Sequence, residues 1–296
     1  MNLLSSHPQF HQELPMPSSM KFRTIFYCFL LLSTSAFSQE PQAKEKHHQK
    51  GKFFVYFGWN RAWFTTSDIH FKGDNYDFTL NKVVAKDRPS PLSADPYLNP
   101  SRFTIPQYNF RVGYFFNEHW SITLGDDHMK YVMKQNQTVK INGGISDTVA
   151  HYEGLYSNED ITLSKDFLQF EHTDGLNYIN TDIRRFDNLI TYKRFKLNVT
   201  EGFGLGVLLP RTNTTLLSKE RNDQFHLSGY GLGALLGLNL TYNNWLFIQT
   251  ELKGGYINMP DIRTTKNKVD NASQHFFFTQ FNFELGANIN LHKKSK

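Results

Sequence analysis

Four short polar stretches hold most of the residues that could do chemistry: 171–175 (EHTDG), 210–214 (PRTNT), 226–228 (HLS) and 260–263 (PDIR). An acyl-transfer or esterase site needs a hydroxyl nucleophile, an imidazole base and a carboxylate that orients the base. Such a set is available from Ser228, from His226 or His172, and from Asp174 or Asp261. The chain has 12 His and no G-x-S-x-G elbow, so a set of this kind also arises by chance, and no catalytic residue is assigned.

The same stretches allow two interpretations without catalysis. Metal-ligating groups occur at His172, Asp174, His226 and His275. Loop histidines more often only form hydrogen bonds, so neither a metal nor a cofactor is predicted. Arg211 and Arg263 carry planar guanidinium groups that match phosphate oxygens, which makes them candidate contacts for a phosphate-bearing ligand. Ordinary ion pairs within loops are the alternative for these two arginines.

Composition excludes several other classes of protein. The net charge is +5 and mean hydropathy is -0.49, and no run of Lys and Arg is interleaved with aromatic residues, so no nucleic-acid partner is expected. The single cysteine, Cys28, falls in an apolar N-terminal segment, which excludes disulfides and thiolate sites from the rest of the chain. No P-loop, dinucleotide fingerprint or H-E-x-x-H motif is present.

The elements that must position these residues show a period of two. In 277–291, alternate residues are almost all apolar, from Phe277 to Leu291, and the residues between them are mostly polar. This alternation runs over 15 residues, whereas a strand in a soluble protein averages about 5–6 residues. Long strands with one apolar and one polar face are typical of a membrane barrel.

The same pattern predicts eight antiparallel strands, and reading 75–84 and part of 150–170 as further membrane strands gives ten. The eight ranges are 52–66, 104–116, 119–134, 176–192, 195–209, 229–242, 244–259 and 275–291. Short turns alternate with four long loops, 67–103, 135–175, 210–228 and 260–274, which is the layout of a bacterial barrel. A bulge at Asp126-Asp127 is expected to keep the third strand in phase and to turn His128 and Lys130 inward.

By this pattern, residues 52–291 resemble the small eight-stranded outer-membrane barrels of the OmpA/OmpX type, in particular uncharacterised barrel proteins of Bacteroidetes-type bacteria. The resemblance implies an all-β, up-and-down transmembrane barrel, lipid and lipopolysaccharide as surroundings, and insertion by the barrel assembly machinery. Arg211 and Arg263 would then contact lipopolysaccharide phosphates. One departure is that the last strand ends at Leu291 before HKKSK, where family members often end in Phe. The pattern gives no oligomeric state.

An eight-stranded barrel is only wide enough to be filled by its own side chains. The predicted interior network is Arg111, Arg184, Lys196, Glu251, Lys253 and Glu284. Because both signs of charge are present, we expect a salt-bridged polar plug, with a substrate channel as the alternative. Glycines on the inner faces allow either a local cavity or close backbone packing with strong curvature, and curvature is favoured. Glu201 breaks phase, and a bulge or a position near the periplasmic rim would account for it.

The N-terminus is typical of an export signal. Residues 1–38 are the predicted signal peptide, with Met20 as an alternative start, Lys21 and Arg23 before an apolar run, and a small-residue cleavage pattern. Residues 39–51 form a polar leader, and 292–296 a basic tail.

Two functional hypotheses follow for an exported barrel. The first is a structural or surface-binding protein that uses its long extracellular loops. The second is an enzyme that modifies outer-leaflet lipid A, as deacylase or acyltransferase, through the Ser/His/Asp set. A soluble periplasmic β-sandwich or lipocalin-like barrel is a third reading, and it requires Leu236, Leu252 and Phe281 to pack in a central dry core.

Overall fold

The computed structural model describes residues 49–102, 104–146 and 151–290. The predicted signal peptide, most of the leader, Leu291 and the basic tail lie outside these residues. The described chain forms seventeen strands and one short helix. In chain order they are β1 Lys52–Phe64, β2 Ser67–Gly73, β3 Tyr76–Val83, β4 Ala85–Lys86, α1 Ala94–Tyr97, β5 Tyr108–Phe115, β6 Trp120–Asp127, β7 Tyr131–Met133, β8 Thr138–Ile145, β9 Gly154–Thr162, β10 Leu168–His172, β11 Tyr178–Tyr192, β12 Phe195–Leu208, β13 Arg211–Leu216, β14 Asn222–Phe225, β15 Gly229–Tyr242, β16 Leu246–Arg263 and β17 Asn271–Asn290.

Eight of these strands pair in a ring. Their order is β1-β5-β6-β11-β12-β15-β16-β17, every neighbouring pair is antiparallel, and β1 also pairs with β17 from Lys52↔Asn290 to Phe64↔Phe278. The pairing of the first strand with the last leaves neither of them as an open edge over this length, which removes the usual site of edge-to-edge aggregation. These eight strands correspond to the eight predicted from the alternation, and the chain runs up and down between them. No described helix is long and apolar enough to cross a membrane.

Three tight turns connect the ring strands at one end. The turn between β15 and β16 places Asn243 and Asn244 at φ of 55° and 61°, a region that asparagine tolerates better than most residues. The chain reverses there in three residues, and the turns 116–119 and 193–194 lie at the same end. We call this end of the ring the turn end and the opposite end the loop end.

Several predicted boundaries were wrong. The third ring strand stops at Asp127, and Tyr131–Met133 belongs to another sheet, where it pairs with β10 and β4. The expected bulge at Asp126-Asp127 is therefore absent, because β6 keeps unbroken register with β5 and β11 up to Asp127. The last loop is shorter than predicted, since β16 continues past a register shift at Met259/Ile262 to Arg263.

The long loops themselves fold into β-structure at the loop end. Strands β2, β3, β8 and β9 extend the ring sheet from the first residues of β17, with Asn271↔Lys72 as the first pair. Strands β14, β13, β10, β7 and β4 form a separate five-stranded sheet. We call these nine strands the cap. Residues 75–84, predicted as a hairpin arm within the first loop, form the turn and second arm of the β2–β3 hairpin.

The cap has a dry core of its own. Phe71, Phe78, Tyr131 and Phe276 are buried at its centre, and Phe71 and Phe78 stack with ring centroids 5.3 Å apart. The core joins the cap strands to the loop-end parts of β16 and β17. Burial of large apolar side chains stabilises a fold by about 1.5–3 kcal/mol each, so the loops are held by packing as well as by pairing.

Candidate functional site

The interior of the ring holds a network of buried ion pairs. On β5, Arg111 donates to Asp182 at 2.8 Å and to Asp127 at 3.3 Å. Arg184 pairs with Asp182 at 2.8 Å and with Glu251. All five side chains are at most 2% exposed, which is tolerable for charged groups only when they are paired.

Some of these ion pairs cross the lumen. Lys253 on β16 lies 2.5 Å, Nζ to Oδ2, from Asp127 on β6. In the ring of eight strands β6 and β16 are four places apart, so they stand opposite each other. The amide of Asn180 joins the two sides further, because its Oδ1 accepts from Lys253 at 3.0 Å and from Arg111 at 2.8 Å.

An amide chain continues this network towards the turn end. Gln249 donates to Glu251 at 2.6 Å and to Glu284 at 3.1 Å, and its Oε1 accepts from Asn239 at 2.9 Å. Asn239 in turn accepts from Asn198 at 3.1 Å. Below them, aromatic rings fill the lumen, with Phe54 5.3 Å from Phe115 and 6.5 Å from Phe247. The cavity left among these rings measures about 10 Å³, roughly the space of one water molecule.

Five of the six residues predicted for the interior lie in this network. The sixth, Lys196, is half-buried near the turn end, opposite Thr191 in the pairing of β11 with β12. Sequence reasoning missed Asp127, because the expected bulge removed it from the inward phase. Reading Ser121, Thr123 and Gly125 alone would have placed Asp127 inside, since all three are inward and buried.

The inner glycines make room for neighbouring side chains. A Cβ at Gly113 would overlap the ring of Phe54, its cross-strand partner on β1. A Cβ at Gly204 would overlap the carboxylate of Asp182 in the same way. The glycines thus allow close packing against the neighbouring strands, which agrees with the close packing considered from the sequence and not with a local cavity.

The outer surface of the ring is apolar. Leu252 and Phe283 are 41% exposed, whereas their chain neighbours Lys253 and Glu284 are at most 1% exposed. This arrangement is the reverse of a soluble barrel, and it excludes the central dry core of Leu236, Leu252 and Phe281. The other apolar residues at least 40% exposed on the ring strands include Phe110, Val112, Ile122, Leu124, Ile183, Phe203, Leu205, Val207, Leu232, Leu238, Leu240, Ile248, Phe281, Leu285 and Ile289.

Glu201 lies on this outer surface without a bulge in its own strand. It is paired in register with Arg185 on β11, and Arg185 is in turn paired with Trp120, the first residue of β6 at the turn end. Arg185 also bonds Asp187 at 2.6 Å, and Asp187 contacts His119 in the adjacent turn at 3.0 Å. Glu201 therefore lies beside a polar group on its β11 side, whereas its partner on β15 is Leu236 of the apolar surface.

The candidate catalytic residues do not assemble into a triad. Ser228 Oγ donates to the backbone carbonyl of His226 at 3.2 Å, not to an imidazole. The imidazole of His226 bonds Asp261 at 2.8 Å, so a base and a carboxylate meet without the hydroxyl. Asp174 is instead 3.4 Å from Arg211.

His172, the second candidate base, is fully buried in the cap. Its Nδ1 is 3.0 Å from Thr212 Oγ1, and its Nε2 is 3.4 Å from Gln274 Nε2. Burial lowers the pKa of His172 to about 3, because the protonated imidazole would lose its hydration. A neutral histidine held between two polar side chains is a core residue rather than an exposed base.

The two candidate phosphate contacts differ in their surroundings. Arg211 is held by Asp223, with Nε to Oδ1 at 3.1 Å and Nη2 to Oδ2 at 3.2 Å. This fork-to-carboxylate pairing occupies the donors that a phosphate would use. Arg263 is the last residue of β16 and is half-buried, opposite Asn271.

The candidate metal ligands do not form one group. His275 is exposed with its ring 6.0 Å from Tyr256. Within the described ranges, no three ligating side chains are grouped around a metal position.

No family model matches the sequence, and no curated protein matches it significantly. Similar solved structures include small outer-membrane β-barrel proteins. The outer membrane protein OprG from Pseudomonas aeruginosa is 11% identical, with 83% of this chain and 100% of OprG covered and a TM-score of 0.40. The outer membrane protein AlkL in lipid bilayers is 12% identical, with 88% and 99% covered and a TM-score of 0.35. Neisserial surface protein A is 11% identical, with 81% of this chain and 97% of that protein covered and a TM-score of 0.31. At TM-scores below 0.5, no ligand or activity of this chain follows from the likeness.

Proposed function

We propose that this chain is an integral outer-membrane β-barrel with a plugged polar interior, and that it has a structural or surface-binding role through its folded extracellular loops. The exposed apolar surface around a charged interior supports this proposal most directly. In water, that surface would be costly at roughly 25 cal/mol per Å² of apolar area, whereas acyl chains solvate it. Strands can cross a bilayer only when their backbone groups are paired, as they are in the ring.

The dimensions of the apolar surface support the same proposal. On β15, outward Tyr230 and Tyr242 stand at the loop end and the turn end, with only Leu and Ala outward between them. Twelve residues of strand span about 40 Å, which at a tilt of about 40° gives about 30 Å along the membrane normal. That height is close to a hydrocarbon core of about 30 Å with aromatic girdles at both interfaces.

The filled lumen supports a role that does not involve conduction. Arg111, Arg184 and Lys253 are each bonded to carboxylates of other strands, and rings occupy the turn end. Eight strands enclose only enough space for such side chains. The barrel then serves to hold the cap at the cell surface, because the cap lies at the end opposite the tight turns.

The experiment compares the lipid contact of two tryptophans. In a background with the four native Trp changed to Phe, F283W and L155W are refolded into vesicles with or without brominated acyl chains. Phe283 is on the outer face of β17, and Leu155 is 90% exposed on cap strand β9. Quenching of F283W alone is expected, with a heat-modifiable band for both variants. Unquenched F283W, or equal quenching of both, would overturn the proposal. Fractionation of a Gram-negative host tests the location in parallel.

A further inference from the structure

The outward face of the five-stranded cap sheet carries a basic pocket. Its volume is about 400 Å³, within the range of small-molecule sites. Val132 on β7 contributes to its floor, and the lining includes Lys86, Arg88 and Lys165 as cations and Glu171 as the acid. We call it the cap pocket. None of the four polar stretches discussed from the sequence supplies its cations.

Charge in the cap pocket is unbalanced. Arg88 bonds Glu171 with Nη2 to Oε2 at 2.8 Å. Lys86 and Lys165 are exposed, and no carboxylate of the described residues lies within ion-pair distance of either ammonium group. Three cations against one acid leave a positive surplus that favours an anion, while part of the site remains open to solvent.

The remaining lining indicates what carries the anion. Amide side chains of Gln135, Gln169 and Asn213 line the same pocket, and amides both donate to and accept from hydroxyl groups. Gln135 Nε2 already donates to backbone carbonyls and Asn213 Nδ2 to Glu171, so these two offer a ligand their oxygens, whereas Gln169 offers its whole amide. Phe170 is the one aromatic residue of the lining, and its ring belongs to the cap core, 5.7 Å from Phe71 and 5.1 Å from His172. Cations combined with amides suit a ligand that has many hydroxyls and a few oxyanions.

We propose that the cap pocket binds an anionic oligosaccharide, with Lys86, Arg88 and Lys165 holding its carboxylate or phosphate groups and the amides holding its hydroxyls. Glu171 acts as an internal competitor. It occupies Arg88 and is itself fixed by Asn213 Nδ2 at 3.1 Å and Thr173 Oγ1 at 3.0 Å. A ligand oxyanion must displace this carboxylate from Arg88, so the pocket selects charged over neutral sugars. This inference rests on the proposed function in one respect, namely that the cap lies at the cell surface, where such sugars occur.

Titration calorimetry on the full chain in detergent tests the inference with three probes, trigalacturonic acid, maltotriose and inorganic phosphate. Saturable binding of trigalacturonic acid alone is expected, and it should weaken as salt rises. Binding of maltotriose with equal affinity, or of phosphate alone with equal affinity, would overturn the oligosaccharide assignment. No binding by protein that still shows a heat-modifiable band overturns this inference and leaves the proposed function standing.

Variants localise the binding to the cap pocket. K86Q/K165Q is expected to raise the Kd about tenfold, since two ion contacts are lost. The matched control K72Q/K268Q removes two exposed lysines outside the pocket, one on cap strand β2 and one in the connection between β16 and β17, and it should leave the Kd unchanged. E171Q should lower the Kd several-fold by releasing Arg88, a change that a purely structural role for Glu171 does not produce. Unchanged affinity in both K86Q/K165Q and E171Q would overturn the site.

Discussion

Lys253 and Asp127 meet across the lumen, although they lie on opposite strands of the ring and 126 residues apart in the chain. Both side chains are at most 2% exposed, so the contact is a buried ion pair. The pair ties β6 to β16 directly, in addition to the hydrogen bonds that run around the ring. The pair depends on the inward position of Asp127, which follows from the unbroken register of β6 up to this residue.

Removal of the lysine charge should destabilise the barrel. The buried lumen groups comprise three cations, Arg111, Arg184 and Lys253, and four carboxyl groups, Asp127, Asp182, Glu251 and Glu284. Lys253→Met leaves two cations for four carboxylates, and breaking a buried pair costs about 3–5 kcal/mol. Urea unfolding in vesicles measures the loss. The control Lys140→Met breaks an exposed pair with Asp160 and should cost at most about 1 kcal/mol. Equal stabilities of the two variants would contradict the role given to Lys253.

A charge on the outer face should be costly only where the face contacts lipid. Leu252 lies between Leu236 and Phe281 in register, midway along β16. Leu252→Arg should lower the free energy of unfolding in vesicles by about 2–4 kcal/mol. Leu155→Arg, on the exposed surface of the cap, should change it by less than about 0.5 kcal/mol. If Leu252→Arg is tolerated as well as Leu155→Arg, the outer face is not embedded in hydrocarbon.

Cap stability should fall in acid because of His172. Its pKa is lowered to about 3 in the folded state, whereas an unfolded histidine titrates near 6.5. The unfolded state therefore binds the proton first, so the contribution of neutral His172 is complete above about pH 6.5. It is lost as the pH falls towards 3, at about 1.4 kcal/mol per pH unit.

Urea unfolding followed by near-ultraviolet circular dichroism at pH 7 and pH 4.5 measures this acid sensitivity. His172→Gln should reduce the difference between the two pH values, because glutamine does not titrate. The matched control His70→Gln changes an exposed cap histidine that contacts Asp77 at 2.7 Å, and it should keep the steep dependence. An equally steep acid response in His172→Gln would assign the effect to other groups.

The Phe54 ring should make position 113 intolerant of any side chain. Gly113→Ala introduces a methyl group where the ring lies, and overpacking of this kind costs about 1–3 kcal/mol. Phe54→Leu in the same chain should recover part of the loss by removing the ring. Gly254→Ala is the matched control, because a Cβ there meets its nearest atom at 3.7 Å. Failure of Phe54→Leu to recover stability would indicate a backbone conflict at Gly113 rather than a conflict with the ring.

The alternation of apolar and polar residues determined the ring by itself. It identified all eight ring strands and, most clearly in 277–291, which face of a strand is apolar, because side chains of a strand point to opposite sides with a period of two. It also placed Arg111, Arg184, Glu251, Lys253 and Glu284 on the inward face. Their membership in one network follows from the narrow lumen of eight strands, which forces inward side chains together.

The tertiary structure alone decided the cap and the cap pocket. Strands such as β4, β7 and β14 have two to four residues, too short for a period to show, and β4 and β7 pair with segments distant in the chain. For the same reason, the sequence could not separate Ser228 from the imidazole of His226 or place His172 among core residues, since hydrogen-bond partners in folded loops depend on long-range packing. Local periodicity determines which face a strand presents, whereas contacts between loops depend on how the whole chain closes.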